Sequence, residues 1–202
     1  MAIAFFHGVL LAFGLILPLG VQNIFIFNQG AVQKKFRHAL PAILTASLCD
    51  TFLIIIAILG VSVLLWNVIW LKTAFILIGS CFLLYLGYFT WKSSGHAKNQ
   101  QTQEPLSAGK QMMFAASVSL LNPHAILDTI GVIGISALTY SESAVYAFAF
   151  GCIAVSWIWF FALSWAGRIV GKMDSGGRIM FMLNRLAAIL IWLAAIYLLF
   201  SL

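Results

Sequence analysis

The sequence predicts an all-α integral membrane protein with six transmembrane helices, and three observations support this fold class. Of the 202 residues, 63% are hydrophobic and 8% are charged, whereas soluble domains carry about 25% charged residues. Long windows without Asp, Glu, Lys or Arg recur along the chain. Most basic residues lie at alternate ends of these windows. A soluble domain of this length could not bury so much apolar surface in one core.

The uncharged windows set the positions of the spans. A spanning helix needs about 20 apolar residues, and each window reaches or approaches that length. Asp50 and Asp128 are the two acidic residues that fall inside the predicted spans. The predicted spans are 4–32, 39–60, 68–90, 111–138, 143–165 and 180–201.

The distribution of basic residues predicts the orientation. Ten of the eleven Lys and Arg residues follow the first, third and fifth spans, and Lys72 alone falls on the other side. Because cytoplasmic loops are enriched in Lys and Arg, both termini are predicted to lie outside the cytoplasm. The net charge of +6 is thereby accounted for by basic residues on the cytoplasmic side of the membrane, and no nucleic-acid partner is expected. The first span lacks a basic start and is expected to be a retained helix.

A polar stretch divides the chain into two halves. Residues 92–110 are rich in Ser, Gln, Gly and Lys and are predicted to form a flexible cytoplasmic linker. The halves, 1–91 and 111–202, then hold three spans each. Because three is odd, the second half enters the membrane inverted relative to the first, which is a common plan of secondary transporters.

The first span of each half carries a proline near its middle, Pro18 and Pro123. Proline inside a spanning helix frees carbonyl groups and often breaks the helix. In each span a polar residue, Asn23 or Asp128, follows the proline by five positions. Broken helices are therefore predicted in spans 1 and 4, and such paired breaks point to a transporter's binding site. Ordinary proline kinks without a ligand are the alternative.

Each predicted break has residues suited to starting a new half-helix. Asn122 is a favoured N-cap residue, and the proline after it suits the first helical position. In span 1, Gly20 is expected to let the backbone open, and Gln22 and Asn23 to begin the next half-helix. The N-termini of such half-helices attract anionic groups, such as the carboxylate of an amino acid.

Asp50 and Asp128 are the sharpest functional signal. An aspartate inside a span costs about 2.5–3.5 kcal/mol on insertion scales, so we expect a function in return. A lysine- or arginine-like molecule offers a carboxylate for the half-helix ends and two cations for the aspartates. The same carboxylates are expected to carry protons for an antiport. The alternative is a structural anchor that is hydrogen-bonded to neighbouring polar side chains.

Three segments resemble the lysine exporter (LysE) family, in particular its lysine and arginine exporter branch. They are LPLGVQN at 17–23, SLCDTFL at 47–53 and LNPHAILDTIGVIG at 121–134. The presence of His124 and Asp128 implies that basic branch, since the neutral amino acid branch has no aspartate there. The resemblance implies proton-coupled export across a bacterial inner membrane. It carries functional roles over to Gln22, Asn23, Asp50, Asn122, Pro123 and Asp128.

Other functions are less well supported. His124 and Asp128 are four residues apart, a helix-face spacing that suits a metal, but too few further ligands accompany them, so no metal site or cofactor is expected. Export of neutral amino acids or of inorganic divalent cations remains an alternative. No nucleophile–base pair or phosphate-binding loop indicates an enzyme. The tryptophans are expected to be interfacial anchors, and a homodimer is left open.

Overall fold

A computed structural model describes residues 1–17, 20–61, 69–94, 105–140, 142–173 and 178–200. Regular structure in these ranges is helical throughout, in agreement with the predicted fold class. The α-helices are α1 (Ala2–Ile16), α2 (Val21–Val32), α3 (Leu40–Ile56), α4 (Ile69–Ser94), α5 (Ala108–Leu120), α6 (Pro123–Ile126), α7 (Gly134–Ala137), α8 (Glu142–Met173) and α9 (Arg178–Phe200). A 3₁₀ turn occupies Phe36–His38, and π-helical turns occupy Ala57–Val61 and Leu127–Ile133.

The described part of each predicted span is mainly helical, with some shifted ends and with interruptions in spans 1 and 4. Leu40–Leu59 and Ser143–Met173 are each long and apolar enough to cross a membrane, and α1 with α2 makes a third span if the bent pair counts as one. The fifth predicted span ended at residue 165, but α8 continues to Met173. Helix also extends into both ends of the predicted linker 92–110, since α4 runs through Ser94 and α5 begins at Ala108.

Span 1 is interrupted in the region where a break is predicted. Helix α1 ends at Ile16, α2 begins at Val21, and the two axes are inclined by 81°. Gly20 precedes α2 with φ −73° and ψ 173°, an extended conformation that any residue adopts. A Cβ added there would meet no atom within 4 Å, so the conformation does not itself require glycine. The predicted helix-breaking residue Pro18 lies outside the described residues.

Span 4 is also interrupted where predicted. Helix α5 ends at Leu120, and after Leu121 and Asn122 a new helical stretch begins at Pro123. The backbone N–H of Ile126 donates to the carbonyl of Asn122 at 3.1 Å, which closes the first turn of that stretch. Proline suits this start because the first N–H groups of a helix have no partner within it.

The long helix α8 organises the packing. It lies against both α1 and α2, while α3 packs on α5 and α8, and α4 packs on α9. Glycines allow the closest approaches: a Cβ at Gly8 would collide with the Phe148 carbonyl, and one at Gly30 with the Ser164 carbonyl. Small residues at such positions let helix backbones approach closely in a membrane. The glycines therefore hold α8 against both halves of the broken span.

Two glycine substitutions test this packing. We expect Gly30→Ala to lower the thermal unfolding temperature in detergent, because overpacking costs about 1–3 kcal/mol. Gly14→Ala is the matched control, since a Cβ at Gly14 meets nothing within 4 Å and alanine favours a helix by up to about 1 kcal/mol. Equal unfolding temperatures for the two variants would contradict close packing at Gly30.

Candidate functional site

A cavity of about 260 Å³ lies where the two helix breaks come together. Residues on both sides of the span 1 break line it, as do Asn122 of the span 4 break and parts of α3, α4, α8 and α9. Ligand pockets for drug-sized molecules measure about 300–1,000 Å³. The cavity volume is slightly below that range, which suits one molecule smaller than a typical drug.

The lining combines a polar centre with apolar walls. Aliphatic and aromatic side chains such as Ile54, Leu83, Phe160 and Ile191 form the walls. Among the described lining residues, Asp50 is the one with an ionisable side chain. The charge distribution of the described lining therefore favours a cationic group. The polar side chains in the lining are Gln22, Asn23, Asp50, Asn122, Thr129 and Ser156.

Asp50 is positioned by three helices. It lies on α3, and Gln22 at the start of α2 donates from Nε2 to its Oδ1 at 3.1 Å. Ser156 on α8 is a second hydrogen-bonding neighbour of this carboxylate. Next to it, Trp157 donates from Nε1 to the Thr51 hydroxyl at 3.1 Å. These bonds align α2 and α8 with the aspartate and leave it partly exposed to the cavity.

Asn23 secures the break of span 1. Its Nδ2 donates to the carbonyl of Ile16 at 2.7 Å, at the end of α1. Its Oδ1 accepts a hydrogen bond from Trp159 Nε1 at 3.2 Å. Carbonyls at a helix end have no partner within the helix, so this amide satisfies one of them across the break. Asn23 thus lines the cavity and also fixes its shape.

The N-terminus of α2 adds a second electrostatic feature. The first backbone bond of this helix runs from the Ile24 N–H to the Gly20 carbonyl at 3.1 Å, and residues 20–23 line the cavity. The N–H groups at the start of a helix lack intrahelical partners, and the macrodipole places positive potential there. The cavity therefore has an anion-attracting helix end close to the Asp50 carboxylate.

The structure brings together most of the predicted site residues that it describes. Gly20, Gln22, Asn23, Asp50 and Asn122 all line the one cavity. The side chains of Pro123, His124 and Asp128, like residue Pro18, lie outside the described part. Thr129 and Ala125 beside them belong to the lining. The described residues contain no group of three or more His, Cys, Asp or Glu that could hold a metal.

Sequence reasoning missed four residues, and one prediction about them was wrong. Trp157 and Trp159 were expected at the membrane interface, but they lie midway along α8 and donate hydrogen bonds to polar groups inside the protein. Ser156 and Thr129 were not singled out, although both line the cavity. The usable signal was a serine beside two tryptophans in the middle of an uncharged window.

Comparisons with known proteins identify the family of this chain. The model of the family "LysE type translocator" matches residues 13–202. A Bacillus subtilis (strain 168) protein named "Putative amino-acid transporter YisU" is 52% identical over 194 residues, which cover 96% of this chain and 88% of that protein. "Arginine exporter protein ArgO" of Salmonella typhi is 32% identical over 194 residues, covering 95% of this chain and 90% of that protein.

The same identity and coverage hold for ArgO of Enterobacter sp. (strain 638). No solved structure matches the chain significantly. The family match covers nearly the whole chain, including both helix breaks and Asp50. The protein belongs to the LysE type translocator family.

Proposed function

We propose that the protein is a secondary-active exporter of cationic amino acids of the lysine and arginine type. The observation that carries this proposal is the Asp50 carboxylate in an apolar-walled cavity beside the N-terminus of α2. The names of the relatives support transport of an amino acid, and ArgO is named for arginine. A transporter of this family is not expected to be an enzyme.

The cavity offers complementary groups for such a substrate. The start of α2 attracts the α-carboxylate, because its N–H groups and dipole favour an anion. Asp50 binds one of the two cationic groups, and Gln22 holds the carboxylate in place for it. We propose that Asp128 binds the other cation. We propose that Asn122 and His124 complete the site from the span 4 break.

The proposed architecture is a pair of inverted three-helix repeats, 1–91 and 111–202, joined by the linker 92–110. The helix contacts are compatible with a symmetry that relates spans 1, 2 and 3 to spans 4, 5 and 6. Span 1 contacts span 5 (α1 and α2 on α8), and the symmetry-related contact is that of span 4 with span 2 (α5 on α3). The contact of span 3 with span 6 (α4 on α9) is its own symmetry mate.

We also propose the bacterial inner membrane as the location, with both termini outside the cytoplasm. The basic residues Lys34, Lys110 and Arg168 lie near one end of the helix bundle, where Arg168 Nη2 donates to the Lys34 carbonyl at 3.4 Å. Under the positive-inside rule this end is cytoplasmic. The substrate then leaves from the basic end, through the cavity, to the opposite side.

Export of a cation needs a driving force, and proton antiport supplies one. Moving one positive charge out against an inside-negative potential costs about 2.3 kcal/mol per 100 mV. Exchange for one inward proton cancels that electrical cost. We propose that the aspartates hold either the substrate cation or the proton, so that the two fluxes alternate at one site.

Asp50→Asn tests the binding role. We expect arginine efflux from loaded liposomes to fall by at least about 30-fold, because losing one partner of a buried charge pair costs about 2–5 kcal/mol. Protection of the protein by arginine against heating should also be lost. Asp50→Glu keeps the charge and should retain part of both effects.

Two results would contradict the proposal. One is full arginine transport by Asp50→Asn. The other is transport of leucine or threonine by the unaltered protein as fast as arginine, which would favour the neutral amino acid alternative. Protection against heating by a divalent cation, without protection by arginine, would favour the inorganic cation alternative.

Asp128→Asn tests the coupling role. In liposomes with an imposed pH gradient, we expect the unaltered protein to accelerate arginine transport in the direction opposite to the proton flow. The Asp128→Asn variant should exchange arginine at a rate that the gradient does not change. If the gradient accelerates arginine transport by the variant as much as by the unaltered protein, Asp128 does not couple the two fluxes.

A further inference from the structure

One face of α2, continued by the C-cap residue Gln33, carries a row of glutamines that leads away from the cavity. Gln22, Gln29 and Gln33 are separated by seven and four positions, which places them within about 40° of one another around a helix of 3.6 residues per turn. All three are buried, with 9%, 7% and 5% of their surface exposed. We call these three residues the glutamine face. It spans about 16 Å at 1.5 Å per residue.

The face connects two chemically distinct places. At one end, Gln22 donates to Asp50 in the cavity. At the other end, Gln33 is followed directly by Lys34, and Arg168 Nη1 donates to the Gln33 carbonyl at 3.4 Å. The glutamine face therefore runs from the carboxylate in the cavity to the basic end of the bundle.

A buried amide lowers the stability of the fold unless it is hydrogen-bonded. An unsatisfied amide in an apolar environment costs about 1–3 kcal/mol by protein mutational data. Gln33 Nε2 donates to Gln29 Oε1 at 3.3 Å, so a hydrogen bond joins two members of the face. Leucine at these sites would fill the same space without a polar group. A row of amides on one face is therefore an unusual choice for helix packing alone.

Hydrogen bonds close the basic end of the glutamine face. Gln33 Nε2 donates to the Leu106 carbonyl at 3.1 Å, and Gln111 Nε2 donates to the same carbonyl at 2.8 Å. Gln111 Nε2 also donates to the His38 carbonyl at 3.0 Å. These bonds join the end of α2, the start of α3 and the chain before α5. We call this group the amide closure.

The amide closure retains unused bonding capacity. Gln111 is 1% exposed, and its Oε1 has no hydrogen-bond partner among the described residues. A buried acceptor without a partner among the described residues is uncommon. An amide oxygen can accept hydrogen bonds from water, ammonium or guanidinium groups.

We infer that the glutamine face is the path between the cavity and the basic end, and that the amide closure is its closed gate. This inference rests on the proposed function, because a path needs a transported solute. Neutral amides can both donate and accept, so they can bind a carboxylate, an ammonium or a guanidinium group in passing. They hold none of these as strongly as a buried opposite charge would.

The chemistry of the closure suits a gate. Exchanging a protein hydrogen bond for one to water changes the free energy little, so opening the amide closure costs little in hydrogen bonding. The solute that follows the face is an amino acid with a cationic side chain, since the face ends at the Asp50 carboxylate. The path thus assigns roles to Gln29, Gln33 and Gln111, which lie outside the cavity.

Accessibility of introduced cysteines tests the path. In a variant with Cys49, Cys81 and Cys152 replaced by alanine, single cysteines are placed at Gln29 or Gln33. A cationic, membrane-impermeant thiosulfonate is added at the basic end of the reconstituted protein. We expect labelling at both positions at least about ten-fold faster than at the controls, and slower labelling when arginine is present.

Two matched controls lie on the same helix. Val32→Cys is next to Gln33 but on an exposed apolar position, 37% exposed. Asn28→Cys replaces another amide, one that donates to Asn184 Oδ1 on α9 at 2.8 Å and not to the glutamine face. Labelling of Gln29→Cys and Gln33→Cys at the rates of these controls would overturn the inference.

Methionine variants provide a second readout that does not depend on cysteine. Gln29→Met and Gln33→Met keep the side-chain length and remove the amide. If the glutamine face is a path, arginine exchange by these variants should fall at least about ten-fold, because about one hydrogen bond to the solute is lost. The unfolding temperature should stay unchanged or rise. A lower unfolding temperature with unchanged exchange would mean that the amides only hold the fold together.

The two proposals fail in different ways. If the cysteines are labelled rapidly but the unaltered protein does not transport arginine, the proposed substrate is wrong and the path stands. If arginine is transported but the cysteines are labelled like the controls, the path is wrong and the proposed function stands.

Discussion

A carboxylate in the middle of an apolar helix is the constraint to which the surrounding structure is fitted. Asp50 cannot be left without partners, because an isolated charge in a low-dielectric environment is strongly destabilising. Its partners come from outside α3, from Gln22 on α2 and Ser156 on α8. The break in span 1 places Gln22 at the start of a helix. A continuous helix would not offer its N–H groups at the same depth.

The broken helix, in turn, depends on α8. Trp159 on α8 donates to Asn23, and Asn23 donates to the last turn of α1, so one helix stabilises both sides of the break. The glycines along α1, α2 and α8 allow the backbones to approach closely enough for these bonds. Lipid supplies little drive for helix association, so packing and interhelical hydrogen bonds carry that role. The polar site and its scaffold are therefore one structure.

Under the proposed function, this arrangement accounts for how a small chain binds and releases a polar solute. The described cavity lining presents one ionisable side chain, neutral amides and hydroxyls, and apolar walls. In the proposed function, the strong attraction of Asp50 selects for charge, and the amides toward the basic end offer weaker and exchangeable contacts. Transport needs binding that is favourable enough to enter and weak enough to leave, and the two kinds of group divide that task.

The sequence by itself determined the membrane class and the positions of the two helix interruptions, because these follow from local signals: uncharged windows and proline positions. The tertiary structure decided that Ser156, Trp159 and Thr129 join the site and that Gln33 and Gln111 donate to the same Leu106 carbonyl. It also moved Trp157 and Trp159 from the expected interface to the interior. Those facts depend on which helix faces lie against each other, and a linear sequence carries that information only through packing between residues far apart in the chain.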